Sequence, residues 1–316
     1  MYSIGIDLGG TNIAAGITDS DGHIVYKASV PTGASRPREE IIDDIAALCR
    51  TLCRDAKVPF DSIRQVGIAV PGGVDAEAGE ILFTPNIPFS GINIRDILSK
   101  KLDGKPVLLA NDANAAALAE ARAGAAKGAK NAVMITLGTG IGGGIVIDGK
   151  IYTGSNGLAA ELGHFVIEKG GVPCGCGRRG CFEVYGSATA LIRMTKEELD
   201  RCFMSGEATL MAESRKLNAR VAFDAYRAGD AAAKRVIDKY IGYLASGIAS
   251  LINIFQPEVF IIGGGVSNEK QFLLDLLRPL VDAEDFAKDA AKRTRLVIAT
   301  CGNDAGIIGA AMNSIN

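Results

Sequence analysis

Hydrophobic and polar residues alternate at the start of the chain in the way that is typical of paired β-strands. Apolar side chains occupy every second position from Ile4 to Leu8 and again from Ile13 to Ile17. A turn with the sequence Asp-Leu-Gly-Gly-Thr-Asn (residues 7–12) joins the two runs. Asp21-Gly22 then predicts a hairpin into a third strand. The pattern therefore predicts a three-stranded start with one buried face.

A weaker copy of the same pattern lies at residues 132–152. Alternation runs from Val133 to Leu137 and from Ile145 to Ile147, with a glycine-rich turn at 138–144 between them and Asp148-Gly149 after them. Because the copies lie about 130 residues apart, we interpret them as a duplicated domain and not as a short solenoid repeat.

Helical and strand patterns alternate through the rest of the chain. In order, the sequence predicts a helix at 39–56, a strand at 66–70, a Pro/Gly loop at 71–75, a strand at 106–110, an Ala-rich helix that ends near residue 124, a helix at 230–255 and a strand at 259–262. This alternation is typical of α/β architecture. A chain of 316 residues holds about two domains, and a duplicated domain predicts a ligand site in the cleft between its halves.

Composition and charge argue against several classes of function. The formal net charge is −2, so no basic excess is present to hold a nucleic acid or an anionic membrane. No signal-peptide pattern precedes the first strand. The most apolar later segment, residues 243–265, is interrupted by Gln-Pro-Glu and is too short on either side to cross a bilayer. We therefore expect a cytoplasmic protein with no nucleic-acid or membrane partner.

The most specific chemical pattern is His164, Cys174, Cys176 and Cys181, with the spacing H-x9-C-x-C-x4-C. Thiolate and imidazole are the ligands that zinc prefers, and one His with three Cys is a closed structural set. Disulfides are uncommon in a reducing compartment, which favours metal binding. The alternatives are unrelated buried cysteines, or a structural zinc remote from any ligand.

Two carboxylates flank this cluster, Glu161 before the histidine and Glu183 after the last cysteine. A metal-ordered loop would hold them at fixed positions, which suits bidentate hydrogen bonding to sugar hydroxyls. Exposed, solvated carboxylates are the alternative.

The glycine turns are candidates for phosphate binding. Gly138-x-Gly140-x-x-Gly143 matches the dinucleotide fingerprint, but a strand pattern follows it where that fingerprint requires a helix, so we reject the Rossmann interpretation. A glycine-rich hairpin can still cradle phosphate through backbone N–H groups. A plain β-turn is the alternative.

Two further motifs carry acidic residues at strand ends. Asp7 could hold Mg²⁺ through water and Thr11 could bind a phosphate oxygen, or Asp7 could cap its own turn. Asp112 could serve as the general base of a phosphoryl transfer. Asn111, Asp112 and Asn114 could equally act as helix N-caps.

Together these motifs resemble the ROK family of sugar kinases, within the actin-like ATPase superfamily. The resemblance extends over nearly the full length and rests on segments 7–12, 71–75, 111–112, 138–144, 161–164, 174–177, 180–183 and 263–265. It implies an α/β fold of two actin-like (ribonuclease H-like) domains with an interdomain cleft. The small domain would comprise residues 1–117 plus 303–316, because the C-terminal helix returns to it, and the large domain residues 118–302.

The resemblance also implies roles for individual residues. Asp112 would be the catalytic base. Sugar hydroxyls would be bound by Asn86, Asn111, Asp112, Glu161, His164 and Glu183. ATP would be bound by Asp7, Gly9, Gly10, Thr11, Asn12, Gly138, Thr139, Gly140, Gly264 and Gly265. Structural zinc would be held by His164, Cys174, Cys176 and Cys181, and Mg²⁺ would accompany the ATP.

The implied activity is transfer of the ATP γ-phosphoryl group to the C6 hydroxyl of a hexose, with glucose as the first candidate. N-acetylmannosamine and N-acetylglucosamine are alternative substrates, and a catalytically inactive sugar-sensing regulator is a remote alternative. Regulators of the family carry a DNA-binding segment ahead of the first motif, and Asp7 leaves no room for one. The resemblance further implies a homodimer or homotetramer. Two features depart from the family pattern, Ala160 in place of Gly and the stretch 195–220.

Overall fold

A computed structural model of the chain describes residues 1–313 and has the mixed α/β composition that the sequence predicts. The strands are β1 (Tyr2–Leu8), β2 (Asn12–Thr18), β3 (Ile24–Pro31), β4 (Ile63–Val70), β5 (Gly73–Asp75), β6 (Glu80–Phe83), β7 (Val107–Asn111), β8 (Ala132–Leu137), β9 (Ile141–Ile147), β10 (Lys150–Ile151), β11 (Val259–Gly263) and β12 (Arg295–Ile298). The helices are α1 (Arg38–Ala56), α2 (Ile94–Lys101), α3 (Asp112–Arg122), α4 (Glu183–Gly186), α5 (Ala188–Ser205), α6 (Ala219–Arg227), α7 (Ala231–Phe255), α8 (Gln271–Glu284) and α9 (Ala305–Met312).

The first sheet has the strand order β3-β2-β1-β4-β7. β1 pairs antiparallel with β2 and parallel with β4, and β4 pairs parallel with β7. The alternating apolar residues from Ile4 to Leu8 and from Ile13 to Ile17 are fully buried. This confirms the strand prediction for both runs.

The second sheet has the order β10-β9-β8-β11-β12. In each sheet, three consecutive strands lie in reversed order beside two later ones, so the two sheets have the same strand order. The strand order confirms the duplication that the repeated sequence pattern predicts.

Helix α9 packs against the first sheet at unusually short distance. A Cβ atom at Gly5 would lie 1.8 Å from the Ile307 carbonyl oxygen, and one at Gly67 would lie 1.8 Å from the Ala310 carbonyl oxygen. Glycine is therefore required at both strand positions for the helix backbone to approach. The C-terminal helix thus packs on the sheet that holds β1, as the resemblance implies.

Contacts divide the chain into two compact units. The first contains residues 1–133 and 144–160 and the described residues from 299 onward, and the second contains residues 134–143 and 161–298. The domain boundaries predicted from the resemblance stay a prediction.

The longest helix, α7, begins where the Asp230 side chain accepts a hydrogen bond from the Ala233 N–H at 2.7 Å. It ends at Gln256, whose φ of 40° is left-handed, one residue before Pro257. Among the described residues no helix is long and apolar enough to cross a membrane.

Candidate active site

The turn at residues 9–12 joins β1 to β2 and is held by hydrogen bonds at both ends. The Gly9 N–H donates to the Asn12 carbonyl at 3.0 Å. The Thr32 hydroxyl donates to the Gly9 carbonyl at 2.6 Å, and the Thr32 N–H donates to the Thr11 carbonyl at 2.8 Å. Gly10, Thr11 and Asn12 are exposed. The turn is therefore fixed while its outer backbone amides stay accessible to a ligand.

Asn86 lies beside this turn. A Cβ atom at Gly10 would lie 3.4 Å from the Asn86 Cβ atom. The structure thus brings one predicted sugar-binding residue next to a predicted phosphate-binding turn.

Asp7 lies within β1, close to α9 and to Asp112. Burial, and secondarily the negative charge of Asp112, raises the pKa of Asp7 to about 6. A pair of nearby carboxylates suits Mg²⁺, which prefers hard oxygen ligands and keeps several waters. The donor set of this region therefore fits the Mg²⁺ that the resemblance implies.

Asn111 is the N-cap of α3. Its side-chain oxygen accepts hydrogen bonds from the Ala113 N–H at 2.9 Å and the Asn114 N–H at 3.1 Å, and its amide donates to the Gly72 carbonyl at 3.0 Å. The sequence left open which residue caps α3. These hydrogen bonds show that it is Asn111 and not Asn114.

Asp112 is the first residue of α3, and its side chain is accessible to solvent. One carboxylate oxygen accepts a hydrogen bond from the Ala113 N–H at 2.8 Å. The surrounding protein atoms reduce the hydration of the carboxylate and raise its pKa above the ordinary value. An accessible carboxylate of raised pKa is suited to accept a proton.

The glycine-rich turn at residues 138–140 joins β8 to β9, so a strand follows it, as predicted. The Gly138 N–H donates to the Gly140 carbonyl at 3.0 Å. The Ile141 N–H donates to Glu183 Oε2 at 3.0 Å. A Cβ atom at Gly140 would lie 2.2 Å from that same oxygen, so Gly140 is required for the carboxylate to reach the turn.

His164 and the three clustered cysteines converge. Their potential ligand atoms all lie within 4.8 Å of one another. The distances are 3.7 Å between Cys174 Sγ and His164 Nδ1, and 3.6 Å between Cys176 Sγ and Cys181 Sγ. Ligands of a tetrahedral zinc, at about 2.3 Å for sulfur and about 2.0 Å for nitrogen, would stand roughly 3.5–3.8 Å apart. The sulfur separation also excludes a disulfide, whose sulfur atoms lie about 2.05 Å apart.

Glu161 precedes the short 3₁₀ turn Leu162–His164, and its side chain is exposed. Ala160, immediately before it, has a φ of 73°, in the left-handed region that favours glycine. The family departure at this position is therefore a strained residue next to a predicted sugar-binding one.

Gly264 immediately follows β11, and its φ is 80°. A Cβ atom there would lie 2.5 Å from the Leu137 nitrogen, so this glycine lets two backbone segments approach. A cavity of about 540 Å³ begins at the next residue, Gly265. Its walls include Phe223 and Arg227 of α6, and the Arg227 guanidinium lies 4.3 Å from the centre of the Phe272 ring.

Comparison with known proteins identifies the family. The ROK family profile matches residues 3–314. The chain belongs to the ROK family. It is 40% identical over 310 residues to a glucokinase of Thermotoga maritima, covering 98% of this chain and 95% of that one.

Solved ROK structures share the fold along almost the whole chain. A ROK hexokinase from Thermus thermophilus matches with a TM-score of 0.82 and 35% identity, covering 99% of this chain and 97% of that one. A ROK glucokinase from Streptomyces griseus, in complex with glucose and AMPPNP, matches with a TM-score of 0.77 and 35% identity over 98% of each chain. The α/β, actin-like fold class predicted from the sequence is confirmed.

In this ROK protein the predicted residues form two groups, one in each unit. The first unit holds Asp7, Gly9, Gly10, Thr11, Asn12, Asn86, Asn111 and Asp112. The second holds Gly138, Thr139, Gly140, Glu161, His164, Cys174, Cys176, Cys181, Glu183, Gly264 and Gly265. The α6 wall of the cavity at Gly265 was not predicted, because an amphipathic helix alone gives no signal of what its flank will line.

Proposed function

We propose that this protein phosphorylates glucose at the C6 hydroxyl with ATP as phosphoryl donor. The observation that carries the proposal is that Asn111 and Asp112, at the start of α3, have different roles. Asn111 caps the helix, which leaves the Asp112 carboxylate accessible and of raised pKa at a fixed position. The identity to glucokinases along nearly the whole chain supports the choice of glucose.

Asp112 is the base of the reaction in this proposal. Its carboxylate accepts the proton of the C6 hydroxyl as the hydroxyl oxygen bonds to the γ-phosphorus. The bond from that phosphorus to the β,γ-bridging oxygen breaks, and ADP leaves with the electron pair. Little covalent chemistry remains for the protein, so positioning and charge stabilisation supply most of the catalysis.

Asp7 has the role of a magnesium-holding residue. Mg²⁺, when bound, neutralises charge on the ATP phosphates. Asp7 would hold the ion through water, because its carboxylate lies near Asp112 and the accessible turn 9–12. We assign phosphate oxygens to backbone N–H groups of that turn and of the turn at 138–140, in which Thr139 is exposed.

The cavity beside Gly265 is our candidate for the nucleoside part of ATP. Its volume of about 540 Å³ lies within the roughly 300–1,000 Å³ usual for small-ligand pockets. Phe223, which is nearly fully buried, contributes apolar lining, Asn268 offers an exposed polar group, and Glu269 is held in an ion pair with Arg227.

We further infer that His164, Cys174, Cys176 and Cys181 hold a structural zinc ion. The convergence of four soft or borderline ligands at tetrahedral separations supports this. With Nδ1 facing the cysteine cluster, His164 would retain its second ring nitrogen for a sugar hydroxyl, and the exposed Glu161 would bind a neighbouring one. Cytoplasmic location stays a prediction from the sequence pattern, and a homodimeric or homotetrameric state stays a prediction from the resemblance.

The proposal is tested by measuring ADP release from Mg-ATP with glucose, mannose, fructose, N-acetylglucosamine and N-acetylmannosamine. The phosphorylated carbon is assigned by ³¹P NMR of the product. We expect the highest kcat/KM with glucose and a 6-phosphate product. A preference for an N-acetyl sugar would keep the chemistry and replace the substrate, and no turnover with any sugar from folded, zinc-containing protein would overturn the proposal.

A further inference from the structure

A second polar cavity lies in the first unit, beside α3. Its volume is about 680 Å³, and it runs along β7 between α2, α3 and the hairpin of β9 and β10. Asn111 is on its wall, but Asp7, Asn86 and Asp112 are not. The cavity therefore shares Asn111 with the predicted sugar-binding residues, but it does not include the accessible base or the phosphate-binding turns.

Asn114 gives the first indication that this cavity holds a ligand. Its side chain lines the cavity, and the residue is only 3% exposed. Among residues 1–313, no group donates a hydrogen bond to its buried Oδ1 atom. Buried acceptors of this kind are nearly always paired, so an unpaired one in a residue of a cavity wall calls for a donor, which a bound molecule could supply if the amide turned towards it.

Arg95, on α2, has a hydrogen-bond donor without an acceptor in the part of the chain that the structure describes. Its two terminal nitrogens donate to the backbone carbonyls of Ala76 and Glu77, and its Nε atom is buried without a hydrogen-bond partner in the described chain. A guanidinium held by carbonyls alone retains a free donor and an unneutralised charge. Two residues of the cavity wall thus hold an unused acceptor and an unused donor just below its surface, which a ligand reaches once these side chains rotate.

The other charged groups on the wall are also unpaired with one another. Glu77 and Asp96 offer carboxylates, while Arg122 and Lys150 offer cations. Within the described residues none of these four forms an ion pair, although Arg122 donates to the Gly149 carbonyl at 2.7 Å. A wall that carries both signs and several amides matches a ligand whose groups can both donate and accept.

A peptide strand is the competing occupant, because β7 is the terminal strand of its sheet. The Asn313 side chain, however, already donates to the Leu109 carbonyl on β7 at 3.1 Å. That bond occupies one of the groups that an added strand would need. The structure therefore favours a compact ligand over an extended chain.

We propose that this cavity is a second binding site for a small polyhydroxylated ligand, a sugar or a sugar phosphate. Each hydroxyl can donate to Asn114 Oδ1 or to a carboxylate, and can accept from Arg95 Nε or another cation. The volume lies within the roughly 300–1,000 Å³ usual for such sites.

The test counts bound ligand per chain by equilibrium dialysis with radiolabelled glucose and, separately, glucose 6-phosphate. Ser99→Trp fills the cavity from α2, and Lys100→Trp places the same side chain on the neighbouring exposed position as a matched control. We expect wild type and Lys100→Trp to bind one more molecule of at least one ligand per chain than Ser99→Trp. This test does not depend on the proposed function, because it measures the number of ligand molecules bound per chain and not an enzymatic activity.

Arg95→Met provides a second variant that leaves the cavity open. If it weakens glucose 6-phosphate binding at this site at least tenfold but spares glucose, the sugar phosphate is the ligand. If it weakens glucose binding at least tenfold, the neutral hydroxyls suffice for recognition. Equal stoichiometry in wild type and Ser99→Trp for both ligands up to 10 mM, or equally tight binding of inorganic phosphate alone, would overturn the proposal.

Discussion

Glu183 Oε2 accepts a hydrogen bond from the Ile141 N–H at 3.0 Å, while Glu183 Oε1 lies 3.7 Å from Cys174 Sγ. One carboxylate therefore links the glycine-rich turn to the cysteine cluster. The resemblance assigns Glu183 to the sugar, and that assignment stays a prediction. The observed contacts add a second role, which is to hold the turn that we assign to phosphate.

This link predicts the effect of removing the carboxylate. Glu183→Ala deletes a charge-assisted hydrogen bond, a contribution of about 1.5–3 kcal/mol. We expect kcat/KM for ATP to fall about tenfold or more, since the turn at Gly140 loses its anchor. Initial rates at varied ATP measure this, with Asp200→Ala at an exposed position of α5 as the control. An unchanged ATP dependence would show that the turn holds its shape without Glu183.

Zinc removal is expected to affect both stability and sugar binding. Cys176→Ser removes one of the four ligands, and binding of a structural metal is coupled to local folding. We expect the zinc content, measured by atomic emission, to fall from one per chain, with a lower Tm and weaker sugar affinity. Cys301→Ser, outside the cluster, is expected to keep its zinc. Unchanged sugar affinity in a zinc-free variant would separate the cluster from the site.

The pH dependence of stability reports on Asp7. Burial raises the pKa of Asp7 in the folded protein to about 6, above the ordinary value of 3.8 for an aspartate. The ionised form is therefore disfavoured by folding, and the cost is present above pH 6 and disappears as the pH falls towards 4. We expect Asp7→Asn to raise the free energy of unfolding by about 3 kcal/mol at pH 7.5 and by little at pH 4.

Urea denaturation across this pH range, without magnesium, measures the effect. Asp200→Asn, at an exposed position of α5, should change the free energy of unfolding at neither pH. A stabilisation by Asp7→Asn that is the same at both pH values would show that the charge of Asp7 is not its cause.

Ala160 is expected to store backbone strain. A non-glycine residue at a φ of 73° loses roughly 1–2 kcal/mol relative to the right-handed region. Glycine relieves that strain but gains about 0.4–1 kcal/mol of conformational freedom in the unfolded chain. Ala160→Gly should therefore stabilise the protein by about 0.5–1 kcal/mol, measured by urea denaturation.

Ala159→Gly is the matched control, because Ala159 does not have a positive φ. We expect that change to destabilise the protein slightly. If both substitutions destabilise the protein, the claim that Ala160 is strained is wrong.

Local patterns were enough to predict much of the fold. The alternation around Ile6 and Ile135, and the helical spacing of α7, depend on burial of one face, which the sequence displays directly. The tight approach of α9 to Gly5 could not be predicted in this way, because the residue that requires glycine lies about 300 positions away. The stretch 195–220 also gave no prediction, yet it contains most of α5 and the start of α6.

The sequence indicated which residues are candidates for the site, but it did not indicate most of the contacts between them. Asn111 and Asp112 are both favoured N-caps, so their roles were separable only once the Asn111 hydrogen bonds were seen. The bond from Ile141 to Glu183 joins residues 42 positions apart and leaves no local signature. The same holds for Phe223, whose place beside Gly265 arises from tertiary packing.

The most direct test of the central claim is the turnover of Asp112→Asn with glucose and Mg-ATP. If Asp112 accepts the proton of the attacking hydroxyl, kcat should fall at least about 100-fold, with near-normal KM values and an unchanged circular dichroism spectrum. Asp200→Asn should retain full activity. Near-normal kcat in folded Asp112→Asn would contradict the assignment of Asp112 as the catalytic base.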